Sequence, residues 1–172
     1  MARAPGRSGT VASGLEFRSV AANEGDGAVL VAAMVEEMRE LYWDIGDGLD
    51  LNSPDMPKAG PAELGPPHGA FLVGYLDGVA VCGGGLKRLP DGACELKRMY
   101  VVPAMRGQGL ARALLHALED AARALGYRIA RLDTGHRQAH AQGLYEAEGY
   151  VAVANFNGNP VATFFGEKRL SD

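Results

Sequence analysis

The chain is poor in long apolar runs, in excess positive charge and in cysteine, and each shortage argues against a class of protein. No apolar run approaches the roughly 20 residues that span a bilayer, so we predict no membrane segment. The formal net charge is -4, which argues against a nucleic-acid partner, because proteins that wrap nucleic acid need a basic face. The remaining composition is close to that of average globular domains.

The two cysteines, Cys82 and Cys94, both lie in apolar stretches that are typical of strands. If residues 89–92 form a hairpin loop, Cys94 lies opposite Lys87 and too far from Cys82 for a disulfide. Two free thiols are typical of a reducing compartment, so we predict a cytoplasmic protein. The four histidines show no HExxH or similar spacing, and no metal site is expected.

Residues 1–14 are rich in alanine, glycine and serine, and no apolar segment of the secretory type follows them. We interpret them as a disordered tail. A chain of 172 residues suggests one domain, and we find no internal repeat and no sign of a second domain. Residues 15–172 are therefore predicted to form a single domain.

Apolar periodicity and turn signals predict an α/β protein with a mixed sheet covered by helices. The predicted strands are residues 15–21, 69–76, 79–88, 93–102, 128–133, 150–156 and 162–170. The predicted helices are one that ends near residue 43, then 110–125 and 138–148. The crossover through the second helix makes its two flanking strands parallel. The run Gly83-Gly84-Gly85 inside a strand predicts a bulge or a close backbone approach.

The centre of the chain is a strand, a glycine-rich turn and a helix between residues 95 and 125. The turn, Arg106-Gly107-Gln108-Gly109-Leu110-Ala111, is not followed by the Lys-Ser/Thr of a nucleoside-triphosphate loop. Arg112 stands where a dinucleotide fingerprint needs a small residue. Glycines let backbone amides approach a ligand, and a helix N-terminus favours an anion such as phosphate. Two arginines of this stretch, Arg106 and Arg112, add positive charge on either side.

Two segments resemble those of a known family. The turn matches the pattern [QR]-x-x-G-x-[GA] completely. Further on lies Gln138-x-x-Ala141-x-x-Leu144-Tyr145-x-x-x-Gly149-Tyr150. These are similar to the acetyl-CoA loop and to the N-x-x-A-x-x-L-Y-x-x-x-G-F segment of the GCN5-related N-acetyltransferase (GNAT) superfamily. The chain departs at Gln138 and Tyr150, where many members have Asn and Phe.

The resemblance covers residues 15–170 and includes the order of strands and helices. It implies a mixed, mostly antiparallel sheet of six to seven strands flanked by helices, with two strands that splay to form a cleft for acyl-CoA. It also implies acetyl transfer from the cosubstrate acetyl-CoA to an amine. The cofactor-binding residues implied in this way are Tyr100, Val101, Val102, Arg106, Gly107, Gln108, Gly109, Leu110, Ala111, Arg112 and Gln138.

Two catalytic residues are proposed on the same resemblance. Tyr145 is the candidate general acid, because a phenol of pKa about 10 can protonate a thiolate of pKa about 8.5 in the right geometry. The alternative is that its ring only packs against the cofactor. Glu95 is the candidate base, and the alternative is a salt bridge with Lys97 or another surface group. The oxyanion would be stabilised by the N–H of Tyr100 or Val101.

The predicted acceptor is a small-molecule amine or an amino-acid-like molecule. Arg88, Arg98 and the long loop at residues 44–67 form a candidate pocket for an anionic substrate, and the loop is either a lid or a flexible connection. The alternatives are a protein N-terminus or lysine, a non-catalytic acyl-CoA sensor, and a toxin-type enzyme acting on aminoacyl-tRNA, which the net charge disfavours. A homodimer through the terminal strands is an open alternative.

Overall fold

Seven strands and three α-helices follow one another along the part of the chain that the computed structural model describes, which is residues 13–45, 50, 51 and 53–171. Residues 1–12 of the predicted tail and residues 46–49 and 52 of the long loop lie outside it. The strands are β1 (Glu16–Ser19), β2 (Ala70–Leu76), β3 (Val79–Arg88), β4 (Cys94–Val101), β5 (Ile129–Thr134), β6 (Val151–Ala152) and β7 (Phe164–Arg169). The helices are α1 (Gly25–Leu41), α2 (Leu110–Ala124) and α3 (Ala139–Ala147), with a 3-10 turn at Pro103–Met105.

The strands form one sheet in the order β1-β2-β3-β4-β5-β7-β6. β1 to β4 pair antiparallel in sequence, β4 pairs parallel with β5, and β7 pairs antiparallel with both β5 and β6. The predicted mixed, mostly antiparallel sheet is confirmed, as is the parallel crossover through α2. None of the described helices combines the length and apolarity that crossing a bilayer requires.

The sheet is covered on both faces because successive side chains of a strand point in opposite directions. On β2, Phe71 and Val73 pack in the cluster that contains Leu30 of α1. Leu72 between them packs in the larger cluster that contains Leu114 and Leu118 of α2, both fully buried. The central strands therefore lie between α1 and α2, and any ligand must enter where the sheet itself opens.

The hairpin between β3 and β4 differs by one residue from the prediction. Leu89 N–H donates to the Ala93 carbonyl, so the loop is one residue shorter than residues 89–92, and Cys94 pairs with Arg88 rather than with Lys87. The predicted free thiols are confirmed, because Cys82 and Cys94 are both buried and unbridged.

The predicted strand at residues 150–156 is mostly wrong, because β6 has only two residues. The chain leaves the sheet soon afterwards, where the Asn155 side chain accepts hydrogen bonds from the backbone N–H groups of Asn157 and Gly158. These bonds fold residues 155–159 into a turn, and the Asn157 and Asn159 amides then reach the centre of the sheet. The sequence signal for a strand was overridden by side-chain bonds that compete with the ladder.

Candidate active site

The sheet opens between β4 and β5. These parallel strands share only two residue pairs, Cys94 with Ala130 and Glu95 with Arg131. The register between β3 and β4 shifts around Gly84, where Arg98 adopts a left-handed φ of 60°. A Cβ at Gly84 would lie 3.1 Å from Met99 Cγ, so the glycine allows this close approach. The predicted bulge is confirmed, and it bends β4 where the two strands separate.

A cavity of about 120 Å³ lies in this opening, and we call it the splay cavity. It is bounded by α1, the loop after it, β4, the end of β5, α3 and the segment before β7. Its lining includes Met34, Met38, Tyr42, Leu96, Lys97, Arg98, Met99, Asp133, Thr134, Gln138, Tyr145 and Asn159. The predicted catalytic Tyr145 and the predicted cofactor residue Gln138 are therefore brought together here.

Tyr145 reaches the splay cavity from α3 and is 8% exposed. Its hydroxyl lies 3.7 Å from Met99 Sδ, a weak partner that leaves the O–H available to a ligand. Burial, and secondarily the negative charge of Asp133, raise the pKa of Tyr145 above the usual phenol range. The side chain therefore stays protonated at neutral pH, as a proton donor must.

A buried polar cluster lies beside Tyr145. Glu95 is fully buried, and its Oε1 lies 3.1 Å from Lys97 Nζ and accepts a hydrogen bond of 2.6 Å from Asn157 Nδ2. Asp133 Oδ2 accepts hydrogen bonds from Asn157 and Asn159 at 2.7 and 2.9 Å, and its Oδ1 lies 3.6 Å from Lys97. Of the two carboxylates, only Asp133 lines the splay cavity.

Sequence reasoning named Glu95 and missed Asp133. The missed residue sits at the end of a predicted strand next to the cleft, and that position was the signal that could have identified it. What the sequence could not show is that the asparagines of residues 155–159 return to hold its carboxylate.

The turn before α2 presents a row of backbone donors. Within the described residues, the N–H groups of residues 107–112 have no hydrogen-bond acceptor, whereas the next one, Ala113, donates to the Gly109 carbonyl at 3.1 Å. Gly107 and Gly109 have φ values of 78° and 80°, in the left-handed region that favours glycine. This turn, which we call the amide turn, fits a phosphate group, because unpaired N–H groups and the positive end of a helix both favour an anion.

The two arginines that add positive charge beside the turn are both paired with carboxylates. Arg106 Nη2 donates to Glu37 of α1 at 2.6 Å, and its Nε donates to the Val101 carbonyl at 3.0 Å. The hydrogen bond with Glu37 raises the pKa of Arg106. Arg112 donates to Glu148, whose pKa is lowered by His116 and then by Arg112. The amides, rather than free guanidinium groups, are the unsatisfied donors of the turn.

The backbone of β4 distinguishes the two proposed oxyanion donors. Val102 N–H donates to Val81 of β3 at 2.9 Å. Because N–H directions alternate along a strand, the Val101 N–H faces away from β3, toward the opening, while the Tyr100 N–H faces β3.

Gln138 accepts hydrogen bonds from the Tyr42 hydroxyl at 3.3 Å and from Gly135 N–H at 3.4 Å, so it connects α3 to α1 at the cavity wall.

Together, the sheet order, the splay and the amide turn define the acyltransferase class to which this chain belongs. It is a member of the acetyltransferase (GNAT) family, whose model matches residues 35–150. Among the described residues, no group of His, Cys, Asp and Glu side chains is arranged to hold a metal ion.

Individual relatives support the same class. The chain is 37% identical over 141 residues to the IAA acetyltransferase of Azospirillum brasilense, covering 80% of this chain and 91% of that protein. It is 31% identical over 127 residues to the uncharacterized N-acetyltransferase YjgM of Escherichia coli K12, covering 72% of this chain and 75% of that protein. The crystal structure of a Klebsiella pneumoniae protein described as an acyl-CoA N-acyltransferase is similar, with a TM-score of 0.70 and 30% identity. The match covers 91% of this chain and 98% of that one. The predicted family, fold class and enzyme class are confirmed.

Proposed function

We propose that the protein transfers an acetyl group from acetyl-CoA to the amine of a small molecule. The observation that carries this proposal is the continuity between the row of unpaired amides at residues 107–112, the unpaired side of β4 and the splay cavity that contains Tyr145. The amide turn suits the diphosphate of coenzyme A, and the exposed backbone of β4 suits the amide groups of its pantetheine arm. Gln138 would hold the cavity wall in place through Tyr42.

The reaction needs three things from this site. The amine nitrogen attacks the thioester carbonyl carbon, the carbonyl oxygen becomes negative, and the C–S bond breaks to give a thiolate. We assign the oxyanion to the Val101 N–H, because the Tyr100 N–H faces β3. We assign protonation of the thiolate to Tyr145. Burial disfavours a thiolate at this site as it disfavours the phenolate, so transfer between them remains feasible.

The amine must lose its proton before it attacks, and Asp133 is the carboxylate that faces it. Glu95 does not line the cavity, and it contacts Lys97 and Asn157 directly. We therefore propose that Glu95 acts as a positioning residue, holding Lys97 and Asn157 so that they orient Asp133. Its predicted role as the direct base is replaced by this indirect one in the proposal.

The size of the splay cavity supports a small acceptor. About 120 Å³ beside Tyr145 accommodates an aminomethyl group and a few more atoms. The test is release of free CoA from acetyl-CoA with a panel of small amines, a peptide with a free N-terminus and a lysine peptide. Release with a small amine supports the proposal. If acetyl-CoA raises the melting temperature but no acceptor releases CoA, the protein is a sensor, and release only with peptides favours a protein acetyltransferase.

A homodimer is part of the same proposal. β6 lies at the edge of the sheet and its Val151 side chain is 63% exposed, so the outer edge of this strand is available to a second copy. Sedimentation equilibrium checks it, since a monomer at every concentration contradicts the pairing.

A further inference from the structure

A second and larger cavity adjoins the first. It has a volume of about 540 Å³ and lies between α1 and residues 53–64, and we call it the helix-loop cavity. Most of its lining is aliphatic, including Val31, Val35, Leu51, Met56, Pro57, Ala59 and Leu64. Its charged lining residues are Lys58, Glu63 and Arg98. Such a wall suits an apolar group of roughly the size of a large amino-acid side chain.

Four residues line both cavities, and Arg98 is the charged one among them; the others are Leu51, Met56 and Pro57. It occupies the β4 bulge with φ 60°, and its Nε is buried without a hydrogen-bond partner. Among the described residues, no carboxylate forms a salt bridge with it, although Asp133 and Glu63 line the same cavities. The carboxylate of Asp133 already forms an ion pair with Lys97 and accepts hydrogen bonds from Asn157 and Asn159.

This arrangement is costly unless a ligand completes it. Partial burial of a cation without a counter-charge is unfavourable, and this burial lowers the pKa of the Arg98 guanidinium. The guanidinium fork matches a carboxylate in geometry and charge better than any neutral partner does. The bulge, the unpartnered Nε and the position between two cavities therefore point to an anionic group of the acceptor.

We propose that the acceptor is an α-amino acid with an apolar side chain, whose carboxylate binds Arg98. The side chain occupies the helix-loop cavity, and the amine points into the splay cavity toward Tyr145 and Asp133. This inference rests on the proposed function, because it names the substrate class of the same site. It also corrects the earlier pairing of Arg98 with Arg88, since Arg88 is exposed and lines neither cavity.

The first test compares matched acceptors. L-Leucine, L-methionine and L-phenylalanine are assayed beside their amides, which keep the amine and the side chain but lose the negative charge. We expect kcat/KM to be about 10- to 100-fold higher for the acids, the range for losing a charge-assisted hydrogen bond. Equal use of acids and amides would overturn the inference while leaving the acetyltransferase proposal intact.

The second test uses variants. Arg98→Gln should lower kcat/KM far more for the acids than for the amides and so remove the preference, and Arg98→Lys should keep part of it. Arg88→Gln is the matched control, because it removes an arginine from the neighbouring strand outside both cavities and should keep the preference. An equal loss for acids and amides in Arg98→Gln would show a structural role and contradict the inference. Melting curves of each variant establish that it is folded.

A binding measurement separates this inference from the proposed function. N-Acetyl-L-leucine and N-acetyl-L-leucinamide are the product and its uncharged match. The acid alone should raise the melting temperature of the wild-type protein, and it should not raise that of Arg98→Gln. This result would support the carboxylate site even if no amine released CoA. No shift with the acid would overturn the inference whatever the turnover assay shows.

Discussion

At the scale of single residues, the side chains proposed as proton donor and proton acceptor face the splay cavity from different elements. Tyr145 comes from α3 and Asp133 from the end of β5. Burial favours the neutral phenol, while three polar partners hold the carboxylate of Asp133. The proposal therefore assigns the donor to Tyr145 and the acceptor to Asp133 within a single cavity.

Tyr145→Phe should lower kcat by about 100- to 1,000-fold, because general acid catalysis contributes about that much. The dissociation constant for acetyl-CoA should stay within a factor of about three, because the ring remains. Steady-state kinetics and calorimetric titration measure the two quantities. An unchanged kcat would remove the acid role and leave the residue as a packing group.

Tyr150→Phe is the matched control for that variant. Tyr150 is also buried and packs edge-on against Tyr145 at 6.0 Å, but its hydroxyl donates to Glu119 at 3.0 Å and does not line the splay cavity. The loss of this buried hydrogen bond should destabilise the fold by about 1–3 kcal/mol. The kcat of this variant should be close to that of the wild type.

Asp133→Asn should lower kcat/KM at neutral pH by about 100-fold, because the amine then has no carboxylate to take its proton. Raising the pH should restore part of the rate, since more of the amine is neutral in solution. The charged groups around Asp133 are Lys97 and, behind it, Glu95. A pH–rate profile parallel to that of the wild type would contradict the assignment.

Glu95→Gln distinguishes a positioning residue from a base. The variant removes the buried charge that pairs with Lys97, so the free energy of unfolding should fall by up to about 3–5 kcal/mol, the range for a broken buried pair. The pH dependence of kcat/KM should keep the shape of the wild-type profile. A profile shaped like that of Asp133→Asn would make Glu95 the base after all.

At the scale of elements, the amide turn joins β4 to α2, and Arg112 within it is bonded to Glu148. Its shape depends on left-handed glycines, and a Cβ at Gly107 or Gly109 would meet nothing within 4 Å. The open space on this side of the turn is where an anion can approach the amides. A side chain there would therefore interfere with a ligand before it interfered with the protein.

Gly109→Ala should weaken acetyl-CoA binding by about tenfold or more, since the methyl group occupies the approach to the amides. The left-handed backbone also costs about 1–2 kcal/mol of stability. Gly126→Ala is the matched control, because Gly126 is left-handed at φ 90° and equally open, but lies at the other end of α2. Both variants should lose similar stability, and only the first should lose affinity by titration. Equal affinity in the two would contradict the phosphate role of the turn.

The elements that the sequence predicted well are those with local causes. The turn follows from the closely spaced Gly107 and Gly109, α2 from leucines at helical spacing, and the Gly83-Gly84-Gly85 bulge from glycine itself. Asp133 and Arg98 could not be assigned their surroundings in this way. The contacts of Arg98 depend on the pairing register of the β3–β4 hairpin and on the bulge. Those of Asp133 depend on asparagines some 25 residues away in the chain. Such contacts leave no periodic pattern in the sequence.

At the scale of the whole molecule, the two buried cysteines make the free energy of unfolding depend on pH in the alkaline range. Burial raises the pKa of Cys82 to about 11 and that of Cys94 to about 12, from the ordinary thiol value of 9.0. Between pH 9 and 11 the unfolded chain releases these protons and the folded chain keeps them. Stability is therefore fully present below pH 9 and decreases as the pH rises toward the folded values.

The free energy of unfolding should decrease by about 1.4 kcal/mol per pH unit for each thiol in that range. Urea titrations at a series of pH values measure the slope. The Cys82→Ala/Cys94→Ala double variant is less stable overall because two buried sulfurs are lost, but its slope should be shallower. The same slope in both proteins would assign the pH dependence to other groups.

The two residue pairs that hold β4 to β5 have a consequence for the abundance of the folded protein. Beyond those pairs the facing backbone groups depend on solvent or on a bound molecule, so deuterium exchange there should be fast and should slow when acetyl-CoA is added. A ligand that binds only the folded chain stabilises it in proportion to the logarithm of its concentration. The metabolic supply of acetyl groups would then regulate how long each copy of the enzyme survives proteolysis, as well as how fast it works.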